Sequence, residues 1–515
     1  MGDSLEPGDG VQTVEREPAP DDRTAGAETP GEPGDGRRPP RRFPGALPVG
    51  IIGIVAGCLV AWRSALHNGV FDDTFWHWAM GNWMLDHHRV MTSDIYSYTV
   101  FGHSWITPEW GYAVLLAESV RVIGPTAFWL LSAGLASLTV IAVAVRSRLV
   151  GAGWTWTGLL CVEVGVALTL SLDDRPQMVS YFFLALLLLM LSLARRRRGW
   201  LYAIPVLFVL WANMHGSFLL GLGILALEAI TAAVRIRMGR VTVSDPLGAR
   251  PALATLVASG VATLVNPFGP RVYGSALGVT FNSSIRQLIE EWQSPDFHNL
   301  AILAVVVLPV AITVAYLALS RDDVPTLELV LAGFLLVSTL QAVRFLPYFA
   351  IAWCALAARC SPLRQERVRP TVLVWPMLAV LGLSLLQGPV WPAGTPAASV
   401  PVKAVRYLEH THGRVFSTYL WNDYLDYVGI PEFVDGRTEL YTSGPVLRQY
   451  LAVNDLTAKP DPILRSYDVE YVLWPTDSGL SFYLEQDANW RVVWTSAQAT
   501  VFHYTGPGTR KRLNS

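Results

Sequence analysis

Lysine is almost missing from this chain. Three of its 39 basic residues are lysines, Lys403, Lys459 and Lys511, and all three follow the last long apolar run. A Schiff-base or phosphate-loop lysine is thereby excluded from everything before them. Charge of either sign is scarce at 16%, and the net charge is −2, so no nucleic-acid partner is expected. Cysteine is scarce too. Cys58, Cys161, Cys354 and Cys360 fall in or beside apolar runs without metal-ligand spacing, which excludes a disulfide framework and a zinc site. A convincing signal-peptide cleavage site is also lacking, so the first apolar run is expected to stay as a signal anchor.

What is present is apolar sequence, 52% of the 515 residues. Runs at roughly 46–64, 126–145, 157–171, 177–194, 201–213, 216–234, 251–265, 299–319, 326–343, 345–358 and 371–388 predict about eleven membrane spans. The fold class is therefore a polytopic α-helical membrane protein, its first partner the lipid bilayer. Residues 1–43, rich in Pro, Gly and charge, read as a disordered cytoplasmic tail. Residues 44–389 form the transmembrane domain with a first external loop at 65–125, followed by a Pro-rich linker at 390–399. Short β-like runs ("RVFSTYL", "EFVDGR", "VEYVLWP", "WRVVWTS", "ATVFHY") alternate with helical stretches near 444–454 and 479–487, predicting a small external α/β domain over 400–505. Residues 506–515 form a second disordered tail.

Basic clusters at 37–42, Arg146 and Arg148, 195–198, 235–240 and 359–369 mark the cytoplasmic side. With 110–123 lying in the interface, the N-terminus falls inside and the C-terminal domain outside. Nearly all the unusual polar residues then converge on the outer face.

The segment "VFDDTFWHWAMGNWMLDHH" (70–88) is too polar to span a bilayer and too aromatic for a solvated loop. Its spacing predicts an interfacial helix capped by Asp72, Asp73 or Thr74. Asp73 and His77, four residues apart, share a face. Either one Asp caps the helix and the other is solvated, or a carboxylate serves as general base toward an acceptor hydroxyl. A divalent metal held by Asp73 and His77 with His215 or Glu109 stays open.

Arg175 and Arg344 stand at the outer ends of apolar runs, where a guanidinium is costly unless paired or used to bind phosphate. Arg175 pairing with Asp173 or Asp174 is the structural alternative. Asn213, His215 and Gly216 break an apolar segment, as happens where backbone lines a cavity or where a tight helical hairpin turns. The pairs Glu109–Trp110 and Glu291–Trp292, together with "FVDGRTELY", suit sugar recognition or an interfacial anchor.

These features together resemble the C-type (GT-C) membrane glycosyltransferases, which use polyprenyl-phosphate-linked sugars. The strings "DDTFWHWAMGNWML", "RPQ", "WANMHGSFLLG", "NPFG", "EEWQSP", "VRF" and "VDGR" resemble more closely a largely uncharacterised bacterial branch of that superfamily. No "WWDYG"-like or "DEVY"-like signature is present. The resemblance implies Asp73 as catalytic base with Asp72 as its understudy, and Arg175 and Arg344 as binders of the donor phosphate. It implies a polyprenyl-phosphate-sugar donor and an external glycan, lipid or protein acceptor at the bacterial cytoplasmic membrane. Two other classes compete: a transporter or lipid carrier without covalent chemistry, and a non-catalytic envelope assembly protein.

Overall fold

A computed structural model describes residues 46–68, 72–170, 175–237, 247–281, 290–319, 326–360 and 400–507. Among the described residues, thirteen α-helices precede residue 360. They are α1 (Ala46–Asn68), α2 (Asp72–His87), α3 (Trp110–Ile123), α4 (Thr126–Leu149), α5 (Trp154–Thr169), α6 (Gln177–Ala194) and α7 (Ala203–Met214), followed by α8 (Phe218–Arg237), α9 (Ala249–Ala262), α10 (Arg271–Phe281), α11 (Leu300–Leu319), α12 (Thr326–Gln341) and α13 (Leu346–Arg359). Four of these, α1, α4, α6 and α11, are long and apolar enough to cross a membrane. Each expected span from 46 to 358 has a helical counterpart, several of them short; the expected span at 371–388 and the linker lie outside the described residues.

Glycine sets the contact between α1 and α5. A Cβ at Gly53 would stand 2.4 Å from Gly158 Cα, and one at Gly57 would stand 2.3 Å from the Cys161 carbonyl. Only hydrogen at these positions lets α1 and α5 approach backbone to backbone. One end of the bundle is tied by buried ion pairs. Arg146 binds Glu328 at 3.0 Å and the Ala355 carbonyl at 2.9 Å, Arg359 binds Glu328 at 2.6 Å, and Arg195 binds Glu228 at 2.8 Å. The turns before α6, between α7 and α8, and before α13 lie at the other end, where the polar residues singled out by sequence gather.

Beyond residue 400 the chain forms α14 (Val402–Glu409), α15 (Tyr419–Val428), α16 (Val446–Asn454), α17 (Pro460–Ser466) and α18 (Gly479–Gln486) around a four-stranded sheet. The sheet has strands β1 (Arg414–Ser417), β2 (Val469–Pro475), β3 (Trp490–Thr495) and β4 (Ala499–Tyr504), in the order β1-β2-β4-β3. β1 runs parallel to β2, and the other pairings are antiparallel. The strand expected at "EFVDGR" is instead a loop with one bridge, Glu432 to Ser97. Its backbone is claimed by side chains, Gly436 N–H donating to Asp423 at 2.7 Å and Arg437 N–H to Asp435 at 2.8 Å, which leaves no ladder to extend.

This sheet region does not stand apart. Trp76, Met80, Met84 and Trp105 share one hydrophobic core with Phe416, Phe433, Tyr450 and Trp474. Trp78 stacks on Tyr427 at 4.2 Å, and Thr99 donates to the Phe433 carbonyl at 2.7 Å. The loop between α2 and α3 is the floor on which the carboxy-terminal region sits.

Candidate active site

The helix expected around residues 72–88 forms as α2, and Asp73 lies in its first turn. Its carboxylate, 28% exposed, meets Arg175 Nε at 3.0 Å, and the same guanidinium reaches Glu291. Three segments far apart in sequence therefore converge through one planar cation, whose fork geometry suits two carboxylates. Asp173 and Asp174, the partners considered from sequence, lie outside the described residues.

His77 does not lie against the Asp73 carboxylate, as spacing alone suggested. Its Nδ1 donates to the Asp73 backbone carbonyl at 2.7 Å, while Nε2 points to Glu109 at 3.0 Å. The i to i+4 relation is satisfied by backbone, which frees the carboxylate for Arg175. Glu109 also faces His215 Nε2, at 3.5 Å. Burial pushes the Glu109 carboxyl up. The hydrogen bond from His77 and the electrostatic pull of the neighbouring His215, His77 and Arg344 outweigh that burial, and the net effect is below the ordinary range. Burial pulls the His215 imidazole down to about 4, with Glu109 opposing, so it is neutral at pH 7. Its Nδ1 contacts Ser180 at 2.8 Å and Ser217 at 2.9 Å.

Arg344 lies over the Trp292 ring at 4.3 Å, and among the described residues no carboxylate stands within ion-pair distance of it. Trp292 itself is buried against Ala342 and Phe345. Trp110 and Asn213, expected near substrate, bind each other: the indole N–H donates to Asn213 Oδ1 at 2.9 Å. The Asn213 amide then donates to the Val209 and Val265 carbonyls at 2.7 and 2.8 Å. That saturates Asn213 and pins the α7–α8 turn. Of Asp72, the structure fixes only its place at the start of α2.

Sequence reasoning singled out "FVDGRTELY", which carries Gly436, but missed the rest of the far wall. Tyr419, Asp423 and Gly436 from the carboxy-terminal region border Asp73. A Cβ at Gly436 would fall 2.8 Å from Asp73 Oδ1, 2.9 Å from Asp423 Oδ2 and 2.9 Å from Trp76 Nε1. Burial, with Asp73 and Asp435 beside it, raises the Asp423 carboxyl well above the usual carboxylate range. Nearby, His103, Ser104, Trp105, Ser275, Glu439 and Ser443 line an open polar cavity of about 240 Å³. Among the described residues, one set of three metal-competent side chains has ligand atoms within 4.8 Å of one another: Asp423, Asp426 and Asp435. The His77, Glu109 and His215 group does not meet that spacing.

No family model matches the sequence, and no curated protein does. Solved structures do share the fold. The archaeal oligosaccharyltransferase AglB from Archaeoglobus fulgidus, in complex with an inhibitory peptide and a dolichol-phosphate, superposes with a TM-score of 0.54 at 12% identity, over 84% of this chain and 69% of that one. The apo form of the Archaeoglobus fulgidus enzyme gives 0.57 at 11% identity, over 84% and 70%. ArnT from Cupriavidus metallidurans bound to undecaprenyl phosphate gives 0.51 at 13% identity, over 88% and 97%. The chain is a multi-pass membrane protein of this fold.

Proposed function

We propose that the protein is an integral-membrane glycosyltransferase that moves a sugar from a polyprenyl-phosphate carrier to a hydroxyl of an external glycan, lipid or protein. The observation that carries this reading is Asp73, a partly exposed carboxylate held by Arg175 at 3.0 Å at the head of α2. Two structures that share the fold are described with dolichol-phosphate and undecaprenyl phosphate bound, which supports a lipid-linked donor here. In this reading the N-terminus is cytoplasmic, the region 400–505 lies outside, and the site opens at the outer face of a bacterial cytoplasmic membrane.

Asp73 takes the proton of the acceptor hydroxyl, and the freed oxygen attacks the anomeric carbon. The bond from that carbon to the carrier's phosphate oxygen breaks, and the electron pair leaves on the phosphate. Arg344 meets the charge developing there. Arg175 aims the Asp73 carboxylate, which can reach an acceptor only if its rotamer is fixed. Glu109, oriented by His77 and His215, and the cavity bordered by Trp105 and Glu439 offer carboxylates beside an aromatic surface for sugar or acceptor hydroxyls. The transporter reading gains no specific observation.

The test is transfer by the purified full chain from a panel of polyprenyl-phosphate sugars. Wild type transfers from at least one, and Asp73→Asn abolishes transfer while its melting midpoint stays near wild type. Equal transfer by Asp73→Asn would sink the reading.

A further inference from the structure

Behind the Asp73 wall lies a second concentration of acid. Asp94, Asp423, Asp426, Glu432 and Asp435 are all buried, between the first loop and the carboxy-terminal region. Against them stands Arg437, which contacts Asp94 at 2.7 Å and also binds Asp435. Asp94 is otherwise satisfied by the backbone N–H groups of Tyr96 and Ser97 and by the Ser97 hydroxyl. Asp435 is likewise held through both oxygens by the Arg437 backbone N–H and guanidinium, and Asp423 Oδ1 accepts from the Gly436 N–H, but the other acid oxygens have no such donors. Both carboxylate oxygens of Asp426, both of Glu432 and Oδ2 of Asp423 are buried with no donor among the described residues, and Asp426 and Glu432 face each other as a pair.

An unpartnered buried carboxylate is too costly to persist and must be neutralised, by a proton or by a cation. Geometry favours the cation. Asp423, Asp426 and Asp435 each present an oxygen no more than 4.8 Å from the others. Oxygens on opposite sides of one calcium ion lie about 5 Å apart, so these three can share a centre. The donor set is oxygen only, and the site is enclosed by protein. Calcium accepts such a cage, whereas magnesium retains several waters.

We infer that Asp423, Asp426 and Asp435, with Glu432 beside them, form a calcium-class cation site within the carboxy-terminal region, next to the Arg437 that holds Asp94 of the first loop. This site is separate from the chemistry proposed at Asp73 and stands without it. Its bearing on that chemistry runs through Asp423, which borders Asp73 across Gly436. The ion makes Asp426, Asp435 and Asp423 positioning residues. Calcium at external concentrations of about 1 mM fills sites of this kind in exposed modules.

The experiment uses the full chain in detergent, stripped with chelator and exchanged into metal-free buffer at neutral pH. Calcium chloride is then added, bound calcium is measured per chain, and the melting midpoint is followed. One calcium per chain is expected, with a rise of at least about 3 °C at about 1 mM. Asp426→Asn and Glu432→Gln are expected to lose both responses, while Glu485→Gln, at the exposed surface, keeps them. Absence of bound calcium and of a midpoint shift in wild type overturns the site, and that result requires no variant to fold. Calcium uptake unchanged in Asp426→Asn also overturns it. So does an Asp426→Asn protein more stable than calcium-saturated wild type, because a proton then suffices.

Discussion

Replacing Gly436 by Ala adds one methyl group, and the structure says where it lands. The new carbon would sit 2.8 Å from Asp73 Oδ1 and 2.9 Å from both Asp423 Oδ2 and Trp76 Nε1. All three approaches are shorter than carbon tolerates, so at least two side chains must withdraw. Asp423 is held by the Gly436 N–H and Trp76 is packed in the shared core, which leaves the partly exposed Asp73 as the group that yields. Overpacking of this size costs about 1–3 kcal/mol of stability. Displacing a reacting group by about 1 Å costs up to about 100-fold in rate. Gly436→Ala should therefore remain folded, with a melting midpoint a few degrees lower, while kcat for transfer falls by one to two powers of ten and the donor KM changes little. The assay is steady-state transfer from the polyprenyl-phosphate sugar that wild type uses, alongside thermal unfolding. A variant with wild-type kcat would refute the claim that Asp73 acts where the structure places it. A loss that merely tracks the unfolded fraction would do the same.

Arg175→Lys keeps the charge but cannot span Asp73 and Glu291 together, so kcat should drop about 10-fold with the fold intact; unchanged kinetics would remove Arg175 from the machinery. Arg344→Ala should raise the donor KM by about 10-fold or more, while stability changes by only about 0.5–1 kcal/mol, the worth of its contact with Trp292; an unchanged KM would exclude it from the phosphate. Glu109 has a carboxyl below its ordinary value, so its contribution to stability is present above the unfolded pKa and is lost as pH falls through the folded one. Melting midpoints measured from about pH 6 down to about pH 3 should fall less steeply for Glu109→Gln than for wild type; parallel curves would contradict the pairing with His77.

The helical membrane region was legible because apolar periodicity and length carry it, and the convergence of Asp73 with Arg175 followed from placing turns on one side of a bilayer. Partners were less legible. Spacing put His77 beside the Asp73 carboxylate, but the imidazole took the backbone carbonyl and Glu109, a choice made by a loop 32 residues away. Trp110, singled out with Glu109 for sugar recognition, and Asn213, singled out as a break in an apolar run, hydrogen-bond to each other, a pairing that spacing does not announce. The acidic cage was not read as one: "EFVDGR" was noted only as a strand and a sugar-recognition stretch, and Asp423 and Asp426 went unmentioned. Asp423 and Asp426 are three apart on α15 and so share a face, which was a usable signal. Asp94 reaches the same region through Arg437 from more than 300 residues upstream, and nothing local announces that meeting.

The shared core of α2 with the carboxy-terminal sheet also fixes a schedule. Asp73 is synthesised early, and the helices that carry Arg175 and Arg344 are made before residue 400 appears. Gly436, Asp423 and the aromatic wall that closes over α2 come last. Until they dock, Trp76, Met80 and Trp105 lack most of their shared core, and the Asp73 carboxylate, already met by Arg175, lacks its far wall. A half-made chain in the membrane thus carries an open site and an exposed aromatic patch that marks it as unfinished. Completion of the polypeptide and completion of the site are one event.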